Sequence, residues 1–234
     1  MKGLVRGAME RVAKRWGYEM RREPSAQSFL HARSVDLVID VGANVGQLAS
    51  GLRKGGYAGS IHSFEPVSSV YVALSAAAAG DPKWMTTRAA VGSAAGEVTI
   101  HVSAASVYSS IRAPTRFGED RDAGMTAVAT EVVPVVMLDE AVELAGSNKV
   151  FLKIDTQGFE REVLDGASRL ITRCVGLQLE LPIAHLYDGV WDFDEAIGHA
   201  KALGFVPAQF RTVCTSDAIP ASAVEVDCIF RRAA

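Results

Sequence analysis

The stretch Val38–Ala49 constrains the fold more than any other part of the sequence. An apolar run with β-branched residues ends at Asp40, two glycines follow at Gly42 and Gly46, and apolar residues then return at helical spacing. This pattern predicts a strand, a tight turn and a helix. Because glycine has no Cβ, such a turn lets backbone N–H groups and a helix N-terminus approach a ligand closely. We therefore predict a nucleotide-type pocket at this turn.

The remainder of the chain alternates between strand and helix patterns over about 190 residues, which is typical of an α/β fold. We predict a three-layer sandwich around a mostly parallel sheet, with an antiparallel last pair of strands. The composition, 49% hydrophobic and 22% charged, is that of a single globular domain. Residues 35–234 are predicted to form this domain, and residues 1–34 a helical segment that precedes it.

The hydrophobic pattern also gives the extent of each element. We predict helices over Ala26–Arg33, Val45–Lys54, Val70–Ala79, Leu138–Ala145, Glu160–Thr172 and Phe193–Leu203. We predict sheet strands over Val35–Val41, Ser60–Phe64, Met85–Val91, Val150–Ile154, Val175–Leu181, Phe205–Phe210 and Ala223–Phe230, and an additional pair over Glu97–Ser103 and Glu131–Val136.

The segment Ala104–Thr130, between the two additional strands, is the least regular part of the chain. It is too long for a passive connection in a compact domain, and it contains Ser106, Tyr108 and Ser109. Two interpretations are open: a lid or insertion that covers the substrate, and a mobile surface insertion.

The first 22 residues contain seven Lys or Arg, and Val5, Met9, Val12 and Trp16 fall on one face of a helix. This basic amphipathic helix either docks on the domain or contacts a membrane surface peripherally. No apolar run reaches the ~18 residues of a membrane span, and no signal peptide is recognisable, so we expect a cytoplasmic protein. The net charge of −3 argues against a nucleic acid partner.

Two classes of cofactor compete for the first turn. A dinucleotide site uses Gly-x-Gly-x-x-Gly, but here Asn44 stands where the middle glycine would admit a pyrophosphate. S-adenosylmethionine has no pyrophosphate; it needs a tight turn and a carboxylate for the ribose, and Glu65 follows Asp40 by 25 residues. Pro66 follows Glu65, and Ala90 would approach the base. A methyltransferase is favoured, and an NAD(P)-dependent oxidoreductase and a non-catalytic binding protein remain alternatives.

Several motifs, in the same order, resemble the FkbM family of S-adenosylmethionine-dependent methyltransferases. They are residues 39–47, 64–66, 151–160, 163–167, 178–181 with 186–189, and 226–230, so the resemblance extends over Val35–Arg231. It implies a class I methyltransferase fold, Rossmann-like, with seven strands in the order 3-2-1-4-5-7-6. It also implies O-methylation of a small-molecule hydroxyl, typically on a sugar, a glycosylated secondary metabolite, a glycolipid or a polyketide-type compound.

Methyl transfer to a hydroxyl needs a group that accepts the hydroxyl proton. Asp155 is the first candidate, because it follows the predicted central strand Val150–Ile154; Glu180 is the second and His185 the third. The alternatives are that Asp155 caps the following helix and that Glu180 pairs with Arg161 or Arg211. We expect Lys153 to brace the acidic site. A divalent cation such as Mg²⁺, held by Asp155, Glu180 and Asp227, is left open.

Overall fold

The computed structural model describes residues 11–18, 25–144, 149–216 and 222–233. The helices are α1 (Ala26–Arg33), α2 (Gln47–Lys54), α3 (Ser68–Ala78), α4 (Arg116–Arg121), α5 (Leu138–Ala141), α6 (Glu160–Asp165) and α7 (Phe193–Ala202). The strands are β1 (Leu37–Val41), β2 (Ser60–Phe64), β3 (Trp84–Thr87), β4 (Ala90–Val91), β5 (Gly96–Ser103), β6 (Ala127–Val136), β7 (Val150–Ile154), β8 (Cys174–Pro182), β9 (Phe205–Ser216) and β10 (Ser222–Arg232).

Seven strands form the main sheet, in the order β3-β2-β1-β7-β8-β10-β9. Strand β1 is parallel to both of its neighbours, and Val38 lies opposite Ile61 on one side and Phe151 on the other. Strand β10 is antiparallel to β8 and β9. When the main-sheet strands are numbered along the chain, this order is 3-2-1-4-5-7-6. The fold is therefore a class I methyltransferase fold, as the sequence motifs implied.

The sheet has an apolar core on each face. Strands β1 and β7 are buried throughout, as expected for short apolar strands in the middle of a parallel sheet. On one face Ile39 and Leu152 pack in a cluster that extends to Ala196 and Ala200 of α7. On the other face Val38, Ile61 and Phe151 pack with Phe29 and Leu30 of α1 and with Trp84. Helix layers on both faces make the predicted three-layer sandwich.

Several predicted elements differ from the structure. The predicted helix Leu138–Ala145 ends at Ala141, and two predicted strands are longer: Phe205–Phe210 extends to Ser216, and Glu131–Val136 begins at Ala127, within the segment predicted to be irregular. Two further differences are larger. The predicted strand Met85–Val91 is divided: β3 ends at Thr87, opposite Phe64, while β4 pairs with β6 in a second, three-stranded sheet. The predicted helix Glu160–Thr172 ends at Asp165, and a separate 3₁₀ helix covers Leu170–Arg173. Gly166 lies between the two, and a Cβ built there would lie 2.0 Å from the Gly92 carbonyl oxygen. The helix ends where the segment around Gly92 lies against Gly166.

The second sheet places β6 between β4 and β5, and the predicted antiparallel pairing of the two additional strands is confirmed. The segment between β5 and β6 contains α4 and two 3₁₀ helices, Ser106–Tyr108 and Ala123–Met125. Met125 is buried in a small cluster with Leu186, Tyr187 and Val224, which anchors the segment to the main domain.

Most of the predicted basic N-terminal helix lies outside the described residues. Of the first 22 residues, only 11–18 are described, and residues 11–15 among them are helical. Within the described part of the chain, no helix is long and apolar enough to cross a membrane. All three cysteines are described and carry free thiols, and Cys174 and Cys228 are buried, as their apolar neighbours in the sequence suggest.

Candidate functional site

A cavity of about 480 Å³ opens at the carboxyl ends of β1, β2, β7 and β8. This is the end of an open α/β sheet where ligands bind, at the point where the strand order reverses between β1 and β7. Its lining residues come from the glycine turn, the β2 and β7 ends, the segment after β5 and the edge strands. They include Val41, Gly42, Ala43, Asn44, Glu65, Pro66, Ala89, Ala90, Ser106, Ser109, Lys153, Asp155, Gln157, Gln178, Arg211 and Asp227.

The glycine turn has the geometry that its sequence predicts. Gly42 has a φ of 72°, and a Cβ built there would lie 1.8 Å from the carbonyl oxygen of Asp155. Gly46 has a φ of 85°, and a Cβ there would lie 2.8 Å from the Trp84 ring. Only glycine fits these two positions without displacing its neighbours. Gly42 thus brings the turn against Asp155, while Gly46 contacts the core and does not line the cavity.

Asn44 and Glu65 join the turn to the end of β2. The Asn44 backbone N–H donates to Glu65 Oε2 at 2.9 Å, and the Val67 N–H donates to Glu65 Oε1 at 2.9 Å. Asn44 has a left-handed φ of 47°; its Oδ1 accepts from the Val45 N–H at 2.8 Å, and its Nδ2 donates to Ser106 Oγ at 3.1 Å. Burial raises the pKa of Glu65 to about 7, although the two backbone donors oppose this shift.

Lys153 braces the acidic side of the cavity, as expected. Its Nζ lies 3.2 Å from Asp40 Oδ1 and 3.2 Å from Asp155 Oδ2, and it donates to the Gly42 carbonyl at 3.1 Å. Asp40 is completely buried beneath the cavity and does not line it. Burial raises the pKa of Asp40, and the Lys153 ammonium opposes that shift. Asp40 is therefore placed to hold Lys153, and its predicted contact with the cofactor stays a prediction.

Asp155 and Glu180 are joined by Gln157. The Gln157 Nε2 donates to Asp155 Oδ1 at 2.8 Å and to Glu180 Oε2 at 2.7 Å. Burial raises the pKa of Glu180 well above its usual value, and nearby carboxylates, of which Asp155 acts most strongly, raise it further. Glu180 lines a smaller pocket of about 20 Å³ behind Gln157, together with Tyr187 and Trp191.

The alternative roles considered for these carboxylates are wrong. The N-cap of α6 is Phe159 and not Asp155. The backbone N–H groups of Thr156 and Gly158, in the turn before α6, donate to Glu160 Oε1 and not to Asp155. Glu180 pairs with neither predicted arginine. Arg211 contacts Asp227 at 2.5 Å, and Arg161 lies 3.9 Å from Glu195.

His185 does not belong to the cavity. Its Nε2 lies 3.0 Å from Asp192 Oδ1, its side chain is 44% exposed, and neither cavity residue set includes it. Among the other predicted residues, Gly42, Asn44, Glu65, Pro66, Ala90 and Asp155 line the cavity. Sequence reasoning gave no ligand role to Gln157, Gln178 or Arg211, which also line it. The even spacing of Gln178 and Glu180 on one strand, which puts them on the same face, was the available signal.

The described residues contain no group of three or more His, Cys, Asp or Glu side chains suited to hold a metal ion. The three carboxylates considered for Mg²⁺ have other partners: Asp155 and Glu180 share the Gln157 amide, and Asp227 contacts Arg211. The donor set of these described residues therefore does not fit a divalent cation.

The model of the methyltransferase FkbM domain matches residues 40–207, which is more than half of the chain. This chain belongs to the FkbM methyltransferase family. The match includes the glycine turn, Glu65, the Asp155–Gln157 turn and Glu180, whereas the terminal motif Val226–Phe230 lies beyond it. Methyl transfer is therefore the class of reaction to which this FkbM domain is assigned. No curated protein sequence is a significant match to the chain.

Solved structures similar to this FkbM domain are distant in sequence. An uncharacterized protein from Listeria monocytogenes serotype 4b has 8% identity and a TM-score of 0.50, over 91% of this chain and 69% of that one. An rRNA methylase from Streptococcus thermophilus has 10% identity and a TM-score of 0.48, over 92% of this chain and 99% of that one. The 1,6-didemethyltoxoflavin-N1-methyltransferase of Burkholderia thailandensis, solved with S-adenosylhomocysteine, has 11% identity and a TM-score of 0.49, over 89% and 77%. At such identities, likeness concerns the fold alone.

Proposed function

We propose that this FkbM domain is an S-adenosylmethionine-dependent O-methyltransferase in which Asp155 accepts the proton of an acceptor hydroxyl. The observation that carries the proposal is the contact between the glycine turn and Asp155. Gly42 lies directly against the Asp155 backbone, and both residues line the same cavity. We expect a methyl donor bound over this turn to have its reactive methyl group near the Asp155 carboxylate, which lines the same cavity.

The cavity fits this cofactor in size and chemistry. Its volume of about 480 Å³ lies in the usual range of ligand pockets, about 300–1,000 Å³. Glu65 lies at the β2 end of the cavity, where its carboxylate is suited to accept bonds from the two ribose hydroxyls. Asn44 fills the position where a pyrophosphate would need a glycine, and its side chain is bonded to Val45 and Ser106. When bound, S-adenosylmethionine supplies an electrophilic methyl group on a sulfonium.

The protein's own residues supply orientation and a base. A hydroxyl oxygen held in line forms a bond to the methyl carbon as the carbon–sulfur bond breaks, and the hydroxyl proton passes to Asp155. Holding the two reactants in line provides most of the acceleration. A positioned general base contributes typically about 10²–10⁴-fold. Lys153 and Gln157 contact one oxygen each of the Asp155 carboxylate, which fixes its plane.

The acceptor is proposed to be a small molecule rich in hydroxyl groups, such as a sugar, a glycosylated secondary metabolite or a glycolipid. Gln178, Arg211 and Asp227 line the cavity on the side of β8, β10 and β9, away from Glu65. Amide, guanidinium and carboxylate groups suit a polyhydroxylated ligand. Ser106 and Ser109 line the cavity from the segment after β5, so we propose that the 104–130 segment is the lid on the acceptor.

Binding and turnover separate this proposal from its alternatives. Isothermal titration calorimetry is expected to detect binding of S-adenosylhomocysteine to the protein. Binding of NAD with no binding of S-adenosylhomocysteine would support a dinucleotide oxidoreductase instead. A methyl-labelled donor is then incubated with a panel of glycosides, polyketide-type alcohols and RNA, and products are examined by mass and by NMR of the new methyl group. An O–CH₃ signal on a small molecule is expected, and an N–CH₃ or RNA product would contradict the proposal.

The general base is tested with Asp155→Asn. This variant should bind S-adenosylhomocysteine as the wild type does but lose about 10²–10⁴-fold in kcat, because the amide cannot accept the hydroxyl proton. Asp165→Asn is the matched control, since Asp165 is exposed at the end of α6 and outside the cavity. Unchanged transfer by Asp155→Asn would refute the base assignment. Binding without transfer to any acceptor, in the wild type as well, would favour a non-catalytic binding protein.

A further inference from the structure

Gln157 occupies a backbone conformation that few residues with a side chain adopt. It lies in the turn after β7 and has a left-handed φ of 56°. Such a conformation persists only where surrounding contacts hold it, and residues of this kind cluster at functional sites. Here the Ser110 hydroxyl donates to the Gln157 carbonyl oxygen at 2.7 Å. Ser110, in the segment after β5, thus helps to hold this turn in place.

The Gln157 carboxamide is surrounded by polar groups on both sides. Its Nε2 contacts Asp155 Oδ1 and Glu180 Oε2, and its Oε1 accepts from the Tyr187 hydroxyl at 2.8 Å. The Tyr187 oxygen also lies 3.0 Å from the Tyr108 carbonyl oxygen. Ionised carboxylates only accept hydrogen bonds, so the amide nitrogen must face them. Both of its N–H groups are then used, one on each carboxylate.

Two carboxylates so close to one nitrogen would otherwise repel each other. One of a pair of neighbouring carboxylates usually keeps a proton, because both cannot be charged without cost. Donation to the charged form favours it, and Gln157 donates to both members. Other charged and titratable groups also face the pair. They are Lys153 on β7, Glu160 on α6, Glu225 and Asp227 on β10, and Tyr187.

We propose that Gln157 is a positioning residue that donates one N–H to each of Asp155 and Glu180, which lets the two carboxyl groups lie side by side, and that orients the Asp155 carboxylate toward the acceptor. Tyr187 holds the carboxamide in the orientation that this requires. The inference rests on the proposed function, in which Asp155 receives the hydroxyl proton. It gives Glu180 a role as well: Glu180 anchors the Gln157 amide without lining the cavity.

The test is a ¹³C NMR titration of the side-chain carboxyl groups in the full chain, comparing wild type with Gln157→Met. Methionine has similar length and no N–H donor. The higher apparent pKa of the Asp155–Glu180 pair is expected to rise by at least about one pH unit in the variant. Tyr187→Phe should shift it in the same direction by less. Gln209→Met, on β9 outside the cavity, should leave it unchanged.

The signals are assigned with Asp155→Asn, Glu180→Gln and Glu225→Gln in the same background, since burial also raises the pKa of Glu225 to about 7. An unchanged apparent pKa in folded Gln157→Met would overturn the inference. If circular dichroism shows that this variant does not fold, Tyr187→Phe decides by the same criterion. Binding of S-adenosylhomocysteine is measured in parallel, so loss of the proposed function in the wild type is seen separately from the titration.

Once an acceptor is known, the pH profile of kcat provides a second readout. The rate of Gln157→Met should be reduced on the acidic side and approach the wild-type rate at high pH, where both carboxylates are ionised. An equal reduction at every pH would show that Gln157 only maintains structure, and would also overturn the inference.

Discussion

Replacing Lys153 with methionine should destabilise the protein in a strongly pH-dependent manner. Lys153 is the cation beside Asp40, a carboxylate with no exposed surface, and its own side chain is 11% exposed. Methionine retains most of the length and packing of the lysine but removes the charge. The buried Asp40 carboxylate would then lack a counter-ion, and it would take up a proton instead of remaining charged.

The magnitude follows from the cost of that proton. The ordinary pKa of this carboxyl is 3.8, and burial raises the folded-state pKa. One pH unit corresponds to about 1.4 kcal/mol, so holding Asp40 neutral costs at most about 4 kcal/mol near pH 7 and about 2 kcal/mol near pH 5. The folded variant keeps the proton that the unfolded chain releases above 3.8, so its stability falls as the pH rises.

The assay is urea-induced unfolding of wild type and Lys153→Met at several pH values between about pH 5 and about pH 7. The difference in the free energy of unfolding should grow by up to about 1.4 kcal/mol per pH unit. In the double variant Asp40→Asn with Lys153→Met, this slope should become smaller, because the buried Asp40 no longer titrates and only the more exposed Asp155 remains beside position 153. A single-variant loss that is equal at both ends of the range, or a slope that is equally steep in the double variant, would refute the reasoning.

Three further outcomes are expected. Gly42→Ala should weaken S-adenosylhomocysteine binding at least about tenfold in calorimetry, because the alanine Cβ would collide with the Asp155 carbonyl oxygen. Gly56→Ala is the control: Gly56 also has a positive φ, 92°, but a Cβ there meets no neighbouring atom, so the variant should cost only about 1–3 kcal/mol of stability. The same binding should weaken from about pH 8 to about pH 6 as Glu65, with a pKa of about 7, protonates, and Glu65→Gln should abolish this dependence. Met125→Ala should cost about 2–5 kcal/mol in thermal or urea unfolding, because it leaves a cavity in the cluster that Met125 forms with Leu186 and Tyr187; a loss below about 1 kcal/mol would contradict this.

The sequence was informative wherever residues adjacent in the sequence decide the structure. Ser60–Phe64 and Val150–Ile154 are strands with the predicted bounds, because an apolar run between turn residues has few other ways to be buried. The glycine turn was equally readable, since the positive φ of Gly42 and Gly46 is a local requirement. Family motifs added the strand order, which local patterns do not contain.

Other features depended on which distant segments of the chain meet in three dimensions. Val91 ends the strand that the sequence predicts over Met85–Val91, yet it pairs with Val136 in another sheet, and the run of residues gives no sign of this change. Helix α6 ends before Gly166 because the Gly92 carbonyl lies against this glycine. The two glycines are separated by 73 residues in the sequence, so no local pattern reveals the contact. Local propensity is overridden when packing offers a better set of contacts.

The candidate site divides in the same way. The sequence by itself determined that a glycine turn, an acidic residue after β2 and a carboxylate after β7 meet at one edge of the sheet, because parallel strands bring their carboxyl ends together. Only the tertiary structure decided which side chains pair there. Hydrogen bonds such as those of Gln157 to Asp155, Glu180 and Tyr187 depend on distances of a few ångströms between residues from different strands and loops, and spacing along the chain does not encode such distances.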